Sequence, residues 1–263
     1  MLNKLLKYDL KYMIKNMSVF YILAIFFSIT TRLLFSLDQS FIINLIGQIS
    51  VGCMFSMLAS ILINVIMRSW VRFRDSLYKD EAYLTHTLPV TKNDIYNSKF
   101  IQTLIFFVFS FIVILICLFI AYYTKERWIM VKDLINSITM GLNINIVFFL
   151  VGIVTVLFLE IFNVIQSGFL GIIFGHKKNN NKLVFSVLYG FIVYMISQGI
   201  ALLSIFIVAL FNSNIMDLFK NNVLLTDSSI KLLLILAIIS YLLIIILMNI
   251  ICKKIFNKGV NIE

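Results

Sequence analysis

Residues 80–99 read DEAYLTHTLPVTKNDIYNSK and hold the single proline of the chain, one of its two histidines and three of its twelve acids. On either side lies an apolar run, residues 41–67 and residues 100–123. Each is longer than the roughly 20 residues that an α-helix needs to cross a hydrocarbon core. The polar segment therefore marks where the chain leaves the membrane and turns back. Working outward from it, the same alternation of long apolar runs and short polar breaks extends over the whole sequence.

Of 263 residues, 61% are hydrophobic and 13% charged, with a mean hydropathy of +1.02. An ordinary soluble domain has about 45–50% apolar and about 25% charged residues, so the composition points to a polytopic membrane protein. Six runs are long enough to span, at residues 17–37, 41–67, 100–123, 142–174, 183–211 and 232–252. None shows the alternation over about ten residues of a barrel strand, so the spans read as helices. The expected fold is an all-α polytopic membrane protein in one transmembrane domain, 1–263, with no separately folding soluble part and no internal repeat. No small-x-small cleavage pattern follows the first run, which reads as a retained span rather than a signal peptide.

The formal net charge is +10. With the N-terminus inside, sixteen of the 22 basic residues fall on the cytoplasmic side: Lys4, Lys7, Lys11 and Lys15, six between Arg68 and Lys99, then Lys177, Lys178, Lys182, Lys253, Lys254 and Lys258. Arg32, Lys125, Arg127, Lys132, Lys220 and Lys231 remain outside. The positive-inside rule thus predicts both termini in the cytoplasm. Because the cations are divided among four membrane-flanking segments, they form no nucleic-acid footprint.

Before the first span, Leu2, Leu5, Leu6, Leu10, Met13, Ile14 and Met17 fall on one helical face, with Lys4, Lys7, Lys11 and Lys15 opposite. This pattern predicts an interfacial helix over residues 1–16, joined at an angle to the first span and touching anionic lipid. The alternative is a plain basic topogenic N-terminus. Asp9 falls on the apolar face, against the pattern. The run 142–174 exceeds a roughly 30 Å core at about 1.5 Å per residue, so it tilts or projects. Near its end, Gly168, Gly171 and Gly175 are small enough to admit a neighbouring helix. Within residues 212–229, IMDLFKNNVLL reads as a short helix at the outer interface. Cys53, Cys117 and Cys252 lie far apart, without CxxC or histidine partners at ligand spacing, and read as packing residues.

The chain carries no GxxxxGK[ST], HExxH or GxSxG pattern. Glu160 is the one acid deep within a predicted span, and Asn163 and Gln166 follow about a turn apart each. An intramembrane ionisable group is a functional candidate by default, here as a polar relay; the other readings are a polar seam between helices, or a carboxylate paired with Arg68 or Arg72. Arg32 lies one turn from the outer end of its span and can reach the surface.

In the opening segment, residues 80–87 make about two helical turns. Pro89 then removes a backbone donor and biases Leu88 to extended geometry. Thr91 with Asp94 resembles a capping box that restarts a helix into the third span. The polar stretch uses about thirty residues where a bare turn needs a few. Its Tyr83, Leu84, Leu88, Val90, Ile95 and Tyr96 suggest a docking surface for another protein.

At these residues the sequence resembles the permease subunits of bacterial ABC-2-type exporters of low-GC Gram-positive bacteria. The matching elements are the basic stretch RFRDSLYKD, the acidic-Tyr-Leu-Thr pattern DEAYLT, TLPV, and Ser98-Lys99; Ala82 stands where many relatives carry glycine. The specific pattern covers about thirty residues, and the amphipathic start and six spans extend a looser likeness over the chain. The resemblance implies a type V exporter-like fold in which two permeases, the second a copy or a paralogue, each sit on a separate ATP-binding subunit. Asp80, Glu81, Tyr83, Leu84, Thr85, His86, Leu88 and Pro89 would form the coupling helix. ATP and Mg would bind the partner subunits, with no cofactor on this chain. The implied location is the bacterial cytoplasmic membrane, and Phe-rich spans suit an amphipathic or hydrophobic cargo such as a cytolytic or antimicrobial peptide, a lipid or a drug. The rival readings are a secondary transporter or channel working without an ATPase, and an intramembrane enzyme.

Overall fold

The computed structural model describes residues 2–37, 40–123, 129–130, 132–133, 137, 145–212, 215–216 and 227–259. These residues form seven helices: α1 Leu2–Ser36, α2 Phe41–Tyr78, α3 Asp80–Thr87, α4 Lys92–Tyr122, α5 Ile146–Gly175, α6 Lys182–Phe211 and α7 Asp227–Asn257. All but α3 are long and apolar enough to cross a membrane, and each corresponds to one of the six expected spans. Their faces carry exposed large apolar side chains along their length, among them Phe26, Phe55, Phe119, Phe191 and Phe206. Lipid can accommodate such surfaces, whereas a water-soluble monomer rarely exposes apolar patches of that extent. Residues 142–144 of the expected fourth span, and most of the outer segment 212–229, lie outside the described residues.

The helices gather into two compact units, Met1–Ile129 and Met130–Glu263. In the first, α1 lies against both α2 and α4, and α3 packs on α2. A hydrogen bond between Thr31 and Ser50 and one from Arg72 to Asp9 run in antiparallel register between α1 and α2. One between Tyr21 and Ser110 and one from Lys99 to Asp9 run in parallel register between α1 and α4. The inward stripe of α1 is Asp9, Met13, Met17, Tyr21, Ala24, Ser28 and Thr31, the three-to-four spacing of one helical face.

That stripe changes the expectation for the N-terminus. Instead of an interfacial helix over residues 1–16 meeting the first span at an angle, α1 runs unbroken through 35 residues. Nothing between residues 2 and 36 is glycine or proline. Part of the apolar face read as lipid-seeking is covered by protein: Met13 and Met17 are fully buried, Leu5, Leu6 and Leu10 are half-buried, and Ile14 stays exposed. An amphipathic pattern reports that a face is covered, not by what. Lys4, Lys7, Lys11 and Lys15 are exposed on the other side. With α2 at 38 residues, both helices are about 50 Å long or more and overrun a roughly 30 Å core. Their charged ends, together with α3 and the first turns of α4, form a polar cap beyond the apolar runs.

In the second unit α5 plays the part that α1 plays in the first, with α6 and α7 both against it. Asn145 caps α5 by accepting from the Val147 N–H at 3.0 Å. The buried residues of α6 are Ser186, Ser197, Ala201 and Ala209, all small, and this lets the backbones meet. A Cβ on Gly171 would lie 2.5 Å from Gly190 Cα, and one on Gly175 would lie 2.4 Å from Ser186 N. The small residues Gly171 and Gly175 therefore serve the close helix approach that their spacing implies. None of the three cysteines is in a disulfide, and Cys117 and Cys252 are buried.

Candidate functional site

Two groups of polar side chains stand out against the apolar background, one in each unit. The first lies in the polar cap. Asp9 is buried on α1, and Lys99 Nζ, at the base of the third apolar run, donates to both of its oxygens at 2.7 Å. Arg72 on α2 reaches the same carboxylate from the other side, with Nε 2.9 Å and Nη2 2.8 Å from Oδ1. Its remaining arm donates to Glu81 Oε2 on α3 at 2.6 Å, and its guanidinium lies over the Tyr12 ring, 4.6 Å from the centroid. Two acids and two bases thus balance, and one arginine fork ties three helices together. Arginine suits this position because its planar fork serves two carboxylates at once.

The cluster holds α3 in place. Asp80 and Glu81 occupy the first turn of α3, where carboxylates complement the helix dipole. Ala82 is fully buried, so the helix has an inner side. His86 Nε2 lies 3.2 Å from the Leu77 carbonyl oxygen on α2. Leu88 is extended, as Pro89 requires, and ends the helix. Thr91 then caps α4, its Oγ1 accepting from the Asp94 N–H at 3.2 Å and donating to Asp94 Oδ2 at 2.8 Å. Facing out are Tyr83, 59% exposed, Leu84, 74% exposed, and Leu88. Asp80, Glu81 and Pro89 are exposed as well, while Thr85 and His86 are half-buried. The eight residues expected to receive a partner thus lie on one short helix and its exit, with three large apolar side chains turned outward.

The second group lies within the apolar length of the second unit. Glu160 on α5 accepts from Tyr194 Oη at 3.0 Å and Gln198 Nε2 at 2.9 Å, both on α6, and from the Tyr241 hydroxyl on α7. Tyr241 Oη is also 3.1 Å from Gln198 Oε1. Asn163 Nδ2 donates to Ser197 Oγ at 2.9 Å, and its Oδ1 has no hydrogen-bond partner among the described residues. Gln166 is fully buried, and neither of its amide atoms has a partner among them either. Within the second unit the Glu160 carboxylate is held by two phenols and an amide, and within the first Arg72 is taken by Asp9 and Glu81.

Sequence reasoning placed Glu160, Asn163 and Gln166 but missed Tyr194, Gln198 and Tyr241. The spacing of Tyr194 and Gln198, one turn apart on an otherwise apolar helix, was the available signal. It likewise missed the pairing of Asp9 with Lys99 and Arg72, although Asp9 is the sole acid in the first 36 residues. Among the described residues no group of three or more His, Cys, Asp or Glu could hold a metal ion. No protein-family model, curated protein or solved structure matches the chain.

Proposed function

We propose that this chain is the membrane-spanning permease subunit of an ATP-driven exporter of the ABC-2 type, coupled through α3 to a separate ATP-binding subunit. The observation that carries the reading is the mounting of α3: a short helix beyond the apolar runs, fixed by the Arg72–Glu81 ion pair and the buried Ala82, presenting Tyr83 and Leu84 outward. A loop that merely joined two spans would need neither an ion-pair mount nor exposed apolar side chains. Such side chains gain about 1.5–3 kcal/mol each when a partner covers them. On this reading two ATP-binding subunits carry ATP and Mg and sit under two permeases, a pair of copies or paralogues. The chain lies in a bacterial cytoplasmic membrane with both termini inside, and the cargo is an amphipathic or hydrophobic peptide, lipid or drug. Closure of the ATP-bound dimer would push α3, and the Asp9–Arg72–Lys99 cluster would pass the push to the helices it joins.

Affinity purification of the tagged chain from its native membrane tests the assignment. The expected result is a stoichiometric partner bearing a GxxxxGK[ST] loop, with hydrolysis of MgATP by the complex. A stable, transport-competent chain with no such partner would sink it. One observation favours a second reading, a secondary transporter without an ATPase: the intramembrane carboxylate Glu160. Its signature would be transport driven by an ion gradient in liposomes containing this chain alone.

A further inference from the structure

The two acids that sit within helix packing are treated differently by their surroundings. Asp9 is buried and meets two cations, Lys99 and Arg72. Glu160 lies in the apolar length of the second unit, and among the described residues its hydrogen-bond partners are neutral: Tyr194, Gln198 and Tyr241. Three donors on two oxygens fix the carboxylate in place, and none of the three carries a charge. An uncompensated anion in an apolar medium is costly, and charges there are normally paired. A cationic group of a ligand is the complement that such a carboxylate takes.

We propose that Glu160, with Tyr194, Gln198 and Tyr241, is a binding site for the cationic nitrogen, an ammonium or guanidinium, of an amphipathic substrate. Three features fit that ligand. The site is not sealed, since Glu160, Tyr194 and Gln198 are all partly exposed on the second unit. Two phenol hydroxyls meet the carboxylate, and each keeps lone pairs that can accept from a cationic N–H. An acceptor is in excess: the single Tyr241 proton is within reach of both the Glu160 carboxylate and Gln198 Oε1 and can serve only one of them. An ammonium brings up to three N–H donors to such a set. A neutral amphiphile of equal length would gain the apolar contact and lose the charge. The inference rests on reading the chain as a transporter and narrows its cargo to cationic amphiphiles.

The test needs no ATPase, so its failure is separate from failure of the exporter assignment. Dodecylammonium and its neutral counterpart dodecanol are titrated by calorimetry against the full chain in lipid nanodiscs, with protein-free discs as the blank. The expected result is binding of dodecylammonium at least tenfold tighter than dodecanol. Glu160→Gln abolishes the preference, Glu160→Asp retains part of it, and Tyr241→Phe weakens dodecylammonium severalfold without changing dodecanol. Equal binding of the two probes by the wild type, or an undiminished preference in Glu160→Gln, overturns the proposal. Should Glu160→Gln fail to fold, Tyr241→Phe and Glu160→Asp carry the decision, since unchanged discrimination in both also contradicts it. A wild type that ignores both probes, with a Glu160→Gln variant that unfolds at a higher temperature, identifies a proton as the balancing charge and equally overturns it.

Discussion

Asp9 carries the charge balance of the polar cap. Replacing it by Asn leaves Lys99 buried and Arg72 short of one carboxylate, and breaking a buried pair from one side costs about 3–5 kcal/mol. Asp9→Asn is therefore expected to lower stability by about 3 kcal/mol in equilibrium unfolding from mixed micelles. Asp9→Asn combined with Lys99→Met, which removes the stranded ammonium too, should recover much of that loss. An additive double variant would show that the two residues act independently. The anomaly at Asp9 was legible in the sequence as an acid on an apolar face. Its partners were not, because they lie 63 and 90 positions away, and a single sequence carries no register between α1, α2 and α4. Glu160 shows the same limit: its place in a span could be read from hydropathy, but the two tyrosines that hold it come from helices brought together only by packing.

At the scale of the helices, local chemistry was informative wherever it acts within a few residues. Pro89, the Thr91–Asp94 cap and the acidic first turn place α3 at Asp80–Thr87 and start α4 at Lys92, as the sequence implies. The continuous α1 was misread because the same apolar stripe serves lipid or protein equally well. Packing of α5 on α6 gives a sharp expectation. At Gly171 a methyl group would sit 2.5 Å from Gly190 backbone atoms, and no side chain is there to yield. Gly171→Ala should therefore destabilise the second unit by about 2 kcal/mol or more. Gly199→Ala faces open space and should be neutral or stabilising by up to about 1 kcal/mol. Melting curves of the two variants side by side check the contrast, and equal effects would contradict the close approach.

For the whole molecule, the charge distribution and the proposed role of α3 make linked claims. If both termini and α3 share the cytoplasm, single cysteines at Asn3, Asp80 and Lys258, in a chain with Cys53, Cys117 and Cys252 replaced, will react with a membrane-impermeant maleimide only after the cells are opened. Labelling of any of the three in intact cells would reverse the topology at that point. Both units share one scheme, a first helix with two others against it, α1 with α2 and α4, α5 with α6 and α7. The sequence offered no repeat to announce this, because apolar spans of similar composition keep their packing pattern without keeping their residues. The central claim concerns α3, and its outward side chains can be removed without touching the Arg72–Glu81 mount. Tyr83→Ala with Leu84→Ala should leave the melting temperature of the chain unchanged. It should weaken association with the ATP-binding subunit by about 100-fold or more, on the scale of losing two buried interface anchors. The most direct measurement is the affinity of the purified chain for the proposed ATP-binding subunit, wild type against the double variant, with ATP-driven transport in proteoliposomes recorded in parallel. Loss of binding and transport together in a folded variant is the expected result; wild-type affinity and transport in that variant would contradict the account.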